Sequence, residues 1–235
     1  MARFSNKVVA ITGAAGNLGR AVTARFASED ATLVVIDRDA ERAAALAGEL
    51  PGDHLGIAVD LLDKAAVKTA LASAAGRIGT IDVAVALAGG FDMGPPVHET
   101  EAEMWERMHR LNIGTLLPLL AAVTPGMIAQ GSGKIVTVGA HAALKGVAGM
   151  GAYCAAKSAV MRATESASAE LRGKGINVNC VLPTILDTPQ NRAAMPKADP
   201  GKWVALEDLA AAIAFLASDD ARAVHGALLP VTGLS

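Results

Sequence analysis

Tyr153 and Lys157 stand four apart in Gly151-Ala152-Tyr153-Cys154-Ala155-Ala156-Lys157. In a helix that spacing places both side chains on one face, within reach of each other. An ammonium beside a phenol favours the phenolate, so the pair predicts a tyrosine whose pKa is lowered toward neutrality. Such a phenol can give or take a proton during a reaction. The same spacing also arises in helices that carry only a half-exposed aromatic and a solvated lysine. The pair gains meaning from a second motif near the start of the chain.

That motif is Thr12-Gly13-Ala14-Ala15-Gly16-Asn17-Leu18-Gly19, between a short apolar run and a helical stretch. Gly13 permits a tight turn, Gly16 lets backbone approach a pyrophosphate, and Gly19 allows close packing of helix on strand. Ala15, Asn17 and Leu18 lie along the same turn. The helix start offers free amides and a positive dipole end to phosphate. The context matches a dinucleotide-binding turn. Asp37 ends the second apolar run, in Val34-Val35-Ile36-Asp37-Arg38. A carboxylate there accepts from the ribose hydroxyls of NAD(H) and repels the added phosphate of NADP(H). NAD(H) is therefore favoured, while Arg38 keeps NADP(H) possible. Asp37 is equally placed to cap the helix that follows. Asp60, before Leu61, is a candidate for the adenine end of the site or for another cap.

The elements that must position these residues follow from hydrophobic patterning. Strands are predicted at Lys7 to Ile11, Thr32 to Ile36, His54 to Val59, Ile81 to Leu87, Gly133 to Val138, Gly175 to Val181 and Ala227 to Val231. Most are short apolar runs rich in β-branched residues, as in strands covered on both faces. Helices are predicted between them: Asn17 to Ser28, Ala40 to Glu49, Lys64 to Ala75, Glu101 to Ile128, Met150 to Arg172 and Leu206 to Ser218. The alternation implies βαβ units in an α/β fold: one doubly wound, Rossmann-type parallel sheet of about seven strands with helices on both faces. At 235 residues the chain fits one such domain, 1–235. Two Gly- and Pro-rich stretches, Gly89 to His98 and Pro183 to Lys202, follow strands. Both are expected at the carboxyl edge of the sheet, where such folds bind ligands.

Composition narrows the partners. A net charge of -2 without a basic run argues against nucleic acid. No uninterrupted apolar run reads as a bilayer span, and no secretory leader is evident. Cys154 and Cys180 are expected to be reduced thiols in a cytoplasmic protein. No metal site is expected.

With the glycine turn, Asp37, Asn112, Tyr153 and Lys157 in this order, the chain resembles the short-chain dehydrogenase/reductase family over essentially its whole length. The resemblance implies a nicotinamide cofactor, with Tyr153 as proton donor or acceptor. Lys157 would hold the nicotinamide ribose and tune the tyrosine. Asn112 would position a water in the proton relay. Ala88 and Gly89 follow the fourth strand, and Pro183 the sixth, where the family lines its cofactor site. Thr188 matches the position that contacts the nicotinamide carboxamide.

The chain also departs from the common family pattern. The family's usual serine, thirteen residues before the tyrosine, is Ala140 here, in Val138-Gly139-Ala140-His141. The usual Asn-Asn-Ala-Gly is Ala86-Leu87-Ala88-Gly89, and the usual Pro-Gly is Pro183-Thr184. The second glycine of the turn comes one residue early, with Asn17 at the usual position. Together these departures resemble the dihydropteridine reductase branch, chiefly between Ala88 and Trp203. That branch implies reduction of a quinonoid dihydropterin by NADH. Phe91 would then stack on the substrate ring, beside Ala140 and His141, and the Thr188 to Met195 loop would close over it. His141 is either a replacement donor for the missing serine or an ordinary polar residue after a strand.

Three readings stand at this stage: a reductase of a quinonoid dihydropterin or similar electrophile, a carbonyl/alcohol dehydrogenase lacking the serine, and a dinucleotide-binding scaffold or sensor without catalysis. The Ala-rich helices around Asn112 and Tyr153 carry apolar residues on more than one face, which predicts a homodimer or homotetramer.

Overall fold

The computed structural model describes residues 2–235. Seven strands form one parallel sheet in the order β3-β2-β1-β4-β5-β6-β7. They are β1 (Val8–Thr12), β2 (Thr32–Asp37), β3 (Leu55–Ala58), β4 (Val83–Ala86), β5 (Gly133–Val138), β6 (Ile176–Pro183) and β7 (Leu228–Val231). Each lies within two or three residues of its predicted bounds. The α-helices are α1 (Asn17–Ala27), α2 (Ala40–Glu49), α3 (Lys64–Ile78), α4 (Ala102–His109), α5 (Thr115–Gln130), α6 (Gly151–Leu171), α7 (Pro189–Ala194) and α8 (Leu206–Ala217).

Strand alternation divides the core into two layers. Val9, Ile11, Leu33 and Val35 face α1 and α8 through Val22, Phe26, Leu209 and Ile213. Val8, Ala10, Val34 and Ile36 face the other way, onto Val67 and Leu71 of α3 and Leu119, Val123 and Met127 of α5. The central strands are thus apolar on both faces, the reason their sequences read as continuous runs. The chain reverses its direction of winding between β1 and β4. Ligands of open α/β sheets bind in the crevice beyond the carboxyl ends at such a point.

The predicted helix Glu101 to Ile128 is not continuous. A π-helical turn, Arg110–Gly114, separates α4 from α5. Pro118 has no amide to give the Gly114 carbonyl, so the regular ladder is already broken there. Side chains take over part of the bonding: Asn112 donates to the Met108 carbonyl at 2.9 Å, and the Thr115 hydroxyl stands 3.0 Å from the Leu111 and Asn112 carbonyls. A pattern reading cannot see the extra residue of such a turn, which changes the direction Asn112 faces.

The helical stretch Ala102–Gln130 contains an 18-residue window of mean hydropathy 1.6, enough by length and composition to cross a bilayer. Asn112, Thr115 and Thr124 interrupt it, so the expectation that no uninterrupted apolar run reaches that length is unchanged. Here it packs through α5 on α3 and β5, and through α4 on α6.

Gly19 shows why the first turn needs glycine. A Cβ on it would lie 2.3 Å from the carbonyl oxygens of both Gly13 and Ala14. Backbone cannot yield as a side chain does. Gly19→Ala is expected to lower unfolding stability by about 2–3 kcal/mol. Urea denaturation measures this, and an unchanged midpoint would show that the turn relaxes freely.

Candidate active site

The sheet brings most of the predicted site residues to one edge. At the end of β1, the Thr12 hydroxyl accepts from the Ala88 amide at 3.2 Å, tying the glycine turn to the loop after β4. Gly13 adopts φ +63°, and a Cβ there would meet the Ala88 nitrogen at 3.0 Å. The turn is therefore closed from behind. In front of it, Gly16 begins α1 with no side chain capping the first amides. Those donors remain for a ligand. This cradle, open at the helix start and glycine-lined where backbone must come close, fits a dinucleotide pyrophosphate.

The Asp37 carboxylate accepts from the amides of Ala15 and Asp39, each at 3.3 Å. It does not cap α2, because Asp39 does so by accepting from the Arg42 amide at 3.1 Å. The Arg42 guanidinium reaches back to the Ala15 carbonyl at 2.5 Å. Arg38 is exposed beside it. Asp60 accepts from the Leu62 amide at 2.9 Å, and Asp63 is the residue that caps α3, with the Ala65 and Ala66 amides both at 3.0 Å. The capping alternatives for Asp37 and Asp60 are thus set aside. Leu61 is buried.

At the other end of the cleft, the π-turn aims the buried Asn112 amide at the loop after β4. Its Oδ1 accepts from the Gly90 amide at 3.2 Å and its Nδ2 donates to the Gly90 carbonyl at 3.0 Å. Gly89 lies directly beneath. A Cβ there would meet Asn112 Oδ1 at 2.8 Å and Lys157 Nζ at 3.3 Å. Asn112 and Lys157 therefore converge on one bare Cα.

The Tyr153–Lys157 coupling predicted from spacing is not what the fold shows. Lys157 Nζ donates to the Val138 carbonyl at 2.8 Å. Burial lowers its pKa to about 8. Burial, and then the neighbouring Cys154 thiol, push Tyr153 up to about 12. The helix face is shared, but the long lysine side chain finds a carbonyl at the end of β5 instead of the phenol. The expected lowering of the tyrosine pKa is thus overturned.

Phe91 meets Tyr153 edge to face, with ring centroids 4.9 Å apart and planes at 84°. Ala140 is buried and packs with Ala143, Cys154 and Met161 in a small apolar cluster that Tyr153 joins. His141 is half-buried at the start of the 3-10 turn His141–Leu144. Cys154 and Cys180 are both free and buried. Beyond Pro183, which ends β6, Thr188 caps α7 by accepting from the Asn191 amide at 3.1 Å. Gln190 on α7 accepts from the Asn17 amide group at 2.6 Å, bridging the glycine turn and the loop after β6. Sequence reasoning missed this bridge, Thr12 and Arg42. Asn17 and Gln190 are 173 residues apart, and no local pattern pairs them. Among the described residues no cluster of three metal-ligating side chains occurs.

Lys157 allows a thermodynamic test. Its folded pKa is depressed, so the unfolded chain binds its proton more tightly. The penalty is full below pH 8 and fades as pH rises toward 10.5. Lys157→Met should stabilise the unliganded protein at pH 7 by about 1–3 kcal/mol. Thermal unfolding should show this gain shrinking between pH 8 and 10.5. A constant gain, or a loss, would contradict the assignment.

Comparison with known proteins agrees with this geometry. The sequence profile described as short chain dehydrogenase matches residues 7–199. The D-threitol dehydrogenase of Mycolicibacterium smegmatis is 33% identical, over 98% of this chain and 93% of that protein. The cis-4-hydroxycyclohexanecarboxylate dehydrogenase of Sinomonas cyclohexanicum is 36% identical, over 98% and 96%. The crystal structure of NAD+-bound xylitol dehydrogenase superposes with a TM-score of 0.91 at 26% identity, covering 98% of this chain and 99% of that one. With its seven-stranded parallel sheet, glycine turn and Tyr153–Lys157 helix, the chain belongs to the short-chain dehydrogenase family and is an NAD(P)-dependent oxidoreductase.

Proposed function

We propose that the chain interconverts a carbonyl compound and its alcohol, with Tyr153 moving the proton. The observation that carries this is the convergence of Tyr153, Lys157 and Asn112 on the loop after β4, at the switch point of the sheet. The nicotinamide supplies or accepts the hydride. Gly13, Ala15, Asn17, Leu18 and Gly19 hold the pyrophosphate. Asp37 takes the ribose hydroxyls at the adenine end, which favours NAD(H), and Asp60 and Leu61 flank the base. Titration with both reduced cofactors reads that preference; equal affinity would refute it. Ala88, Gly89 and Pro183 line the nicotinamide end. The Thr188 hydroxyl accepts from Asn191 and so has its own hydrogen to donate to the carboxamide.

Tyr153, protonated through the neutral range, suits the donor role in reduction. Lys157, now on the Val138 carbonyl, would hold the nicotinamide ribose. Leaving the Val138 carbonyl for that ribose would bring its charge nearer the phenol and ease proton loss in the oxidative direction. The segment 183–202 forms the substrate-side loop of a single domain, with Gln190 against Asn17 as its closing contact.

A second reading is favoured by one pair of residues. Ala140 offers no hydroxyl to a substrate oxygen, and Phe91 presents an aromatic ring. A quinonoid dihydropterin or similar activated electrophile needs less polarisation than a ketone. The relatives, named for alcohol and polyol substrates, weigh toward the first reading.

The assembly proposed is a homodimer or homotetramer in the cytoplasm. A groove of 470 Å³ runs between α4 and α6, lined by Trp105, His109 and the small side chains of Ala152, Ala155 and Ala156. Leu117 on α5 is exposed. Sedimentation velocity is expected to show an assembly that Ala155→Arg dissociates; a wild-type monomer would refute it.

Tyr153→Phe should cut turnover by about 10²–10⁴-fold while leaving NADH binding intact. Ala140→Ser should raise kcat/KM for a simple ketone roughly fivefold, the worth of one hydrogen bond. Steady-state NADH oxidation measures both, with simple ketones and freshly generated quinonoid dihydropterin as substrates. Full activity of Tyr153→Phe would require a different proton donor, and absence of turnover in wild type and variant alike would leave a dinucleotide-binding scaffold. A gain from serine with ketones supports the carbonyl reading, and rapid dihydropterin turnover without such a gain supports the other.

A further inference from the structure

The carboxyl edge around Tyr153 exposes large apolar side chains. Phe91, Met93, Val97 and Leu144 are 52–61% exposed, although Phe91 touches the half-buried Tyr153. The first three belong to the segment after β4, and that segment is fixed. Asn112 grips Gly90, next to Phe91, by both amide and carbonyl. Gly94 donates to the Gly149 carbonyl at 2.9 Å, and Thr100 bonds the Pro95 and Pro96 carbonyls at 3.1 Å. Asp92 is paired with Arg107. Met93 and Val97 close on the backbone before Tyr153, where Cβ atoms on Gly149 and Gly151 would meet them at 3.4 and 2.9 Å.

Two polar groups of the loop after β6 are engaged elsewhere, and His141, half-buried next to Ala140, is one polar side chain that this leaves. Asp187 is bonded to Arg192, and the Thr184 hydroxyl to Ser235 and the Thr232 carbonyl. At the remaining flank stands Ala140. A ligand with hydroxyls on successive carbons would thus bring several polar groups against an apolar wall with few partners.

We infer that this site selects a carbonyl or alcohol borne on an apolar ring, not an open-chain polyol, and that Phe91 determines the choice. The inference rests on the carbonyl/alcohol reading of the same site. It assigns Phe91 a task beyond its edge-to-face contact with Tyr153: its exposed face is the platform on which the ring body lies. Apolar pockets discriminate only moderately against added hydroxyls, so the preference should be finite, about ten- to a hundredfold.

Binding to the NADH-loaded protein tests this without chemistry, because cofactor and alcohol are then both reduced. Calorimetric titration with cyclohexanol and with D-threitol should give a Kd at least about tenfold lower for cyclohexanol. Phe91→Ser should bring the two within about threefold, and Phe91→Leu, still apolar, should keep most of the difference. Phe91 is exposed, so neither variant threatens the fold. Equal or tighter binding of threitol, no binding of cyclohexanol, or a preference untouched in Phe91→Ser would each overturn the inference. None of these results bears on proton transfer. Loss of turnover in Tyr153→Phe would still stand, so the two failures are distinguishable.

Discussion

The site depends on one side chain held in two directions. Asn112, 2% exposed, accepts from the Gly90 amide and donates to the Gly90 carbonyl, while also donating to the carbonyl of Met108 in its own helix. An amide so used has no cheap alternative, since an unmet buried donor or acceptor costs about 1–3 kcal/mol. This grip joins the helical layer to the loop after β4. It therefore fixes Gly89 against Lys157, and Phe91 against Tyr153. The π-turn exists at the point where Asn112 must face that loop. An irregular turn at this place is better understood as part of the site than as a defect of the helix.

Lys157 illustrates the cost of preorganisation. Its ammonium is buried against the end of β5, with one carbonyl as partner, and its pKa falls to about 8. Buried in this way, it destabilises the fold near neutral pH. Its position beside Gly89 fits the proposed cofactor site. Residues that burden stability in this way mark functional sites. Tyr153 shows the same environment acting with the opposite sign: burial that disfavours an ammonium also disfavours a phenolate, so the phenol stays protonated.

Much of this was legible in the sequence. Strands buried on both faces announce themselves as short apolar runs, and the predicted seven-strand parallel sheet is the one found. The glycine turn was readable because each glycine answers a steric demand, as Gly19 shows with two carbonyls at 2.3 Å. Three features escaped for physical reasons. The π-turn inserts one residue into a pattern that hydrophobic periodicity averages over. The Tyr153–Lys157 spacing gave a common face but not a contact, because a four-carbon side chain can reach a competing carbonyl on a strand. The Asn17–Gln190 bridge and the Thr12–Ala88 bond join loops from distant strands, and only the folded sheet brings them together. The caps show the same limit locally: Asp39 and Asp63, and not Asp37 and Asp60, close the helix starts.

The central claim is hydride transfer at this edge of the sheet with Tyr153 as the proton donor. NADH deuterated at both C4 positions, incubated with a cyclic ketone, tests it most directly. Mass spectrometry of the product should show one deuterium on the carbinol carbon with the wild-type protein and almost none with Tyr153→Phe over the same time. An alcohol without label, or equal labelled product from Tyr153→Phe, would contradict the account.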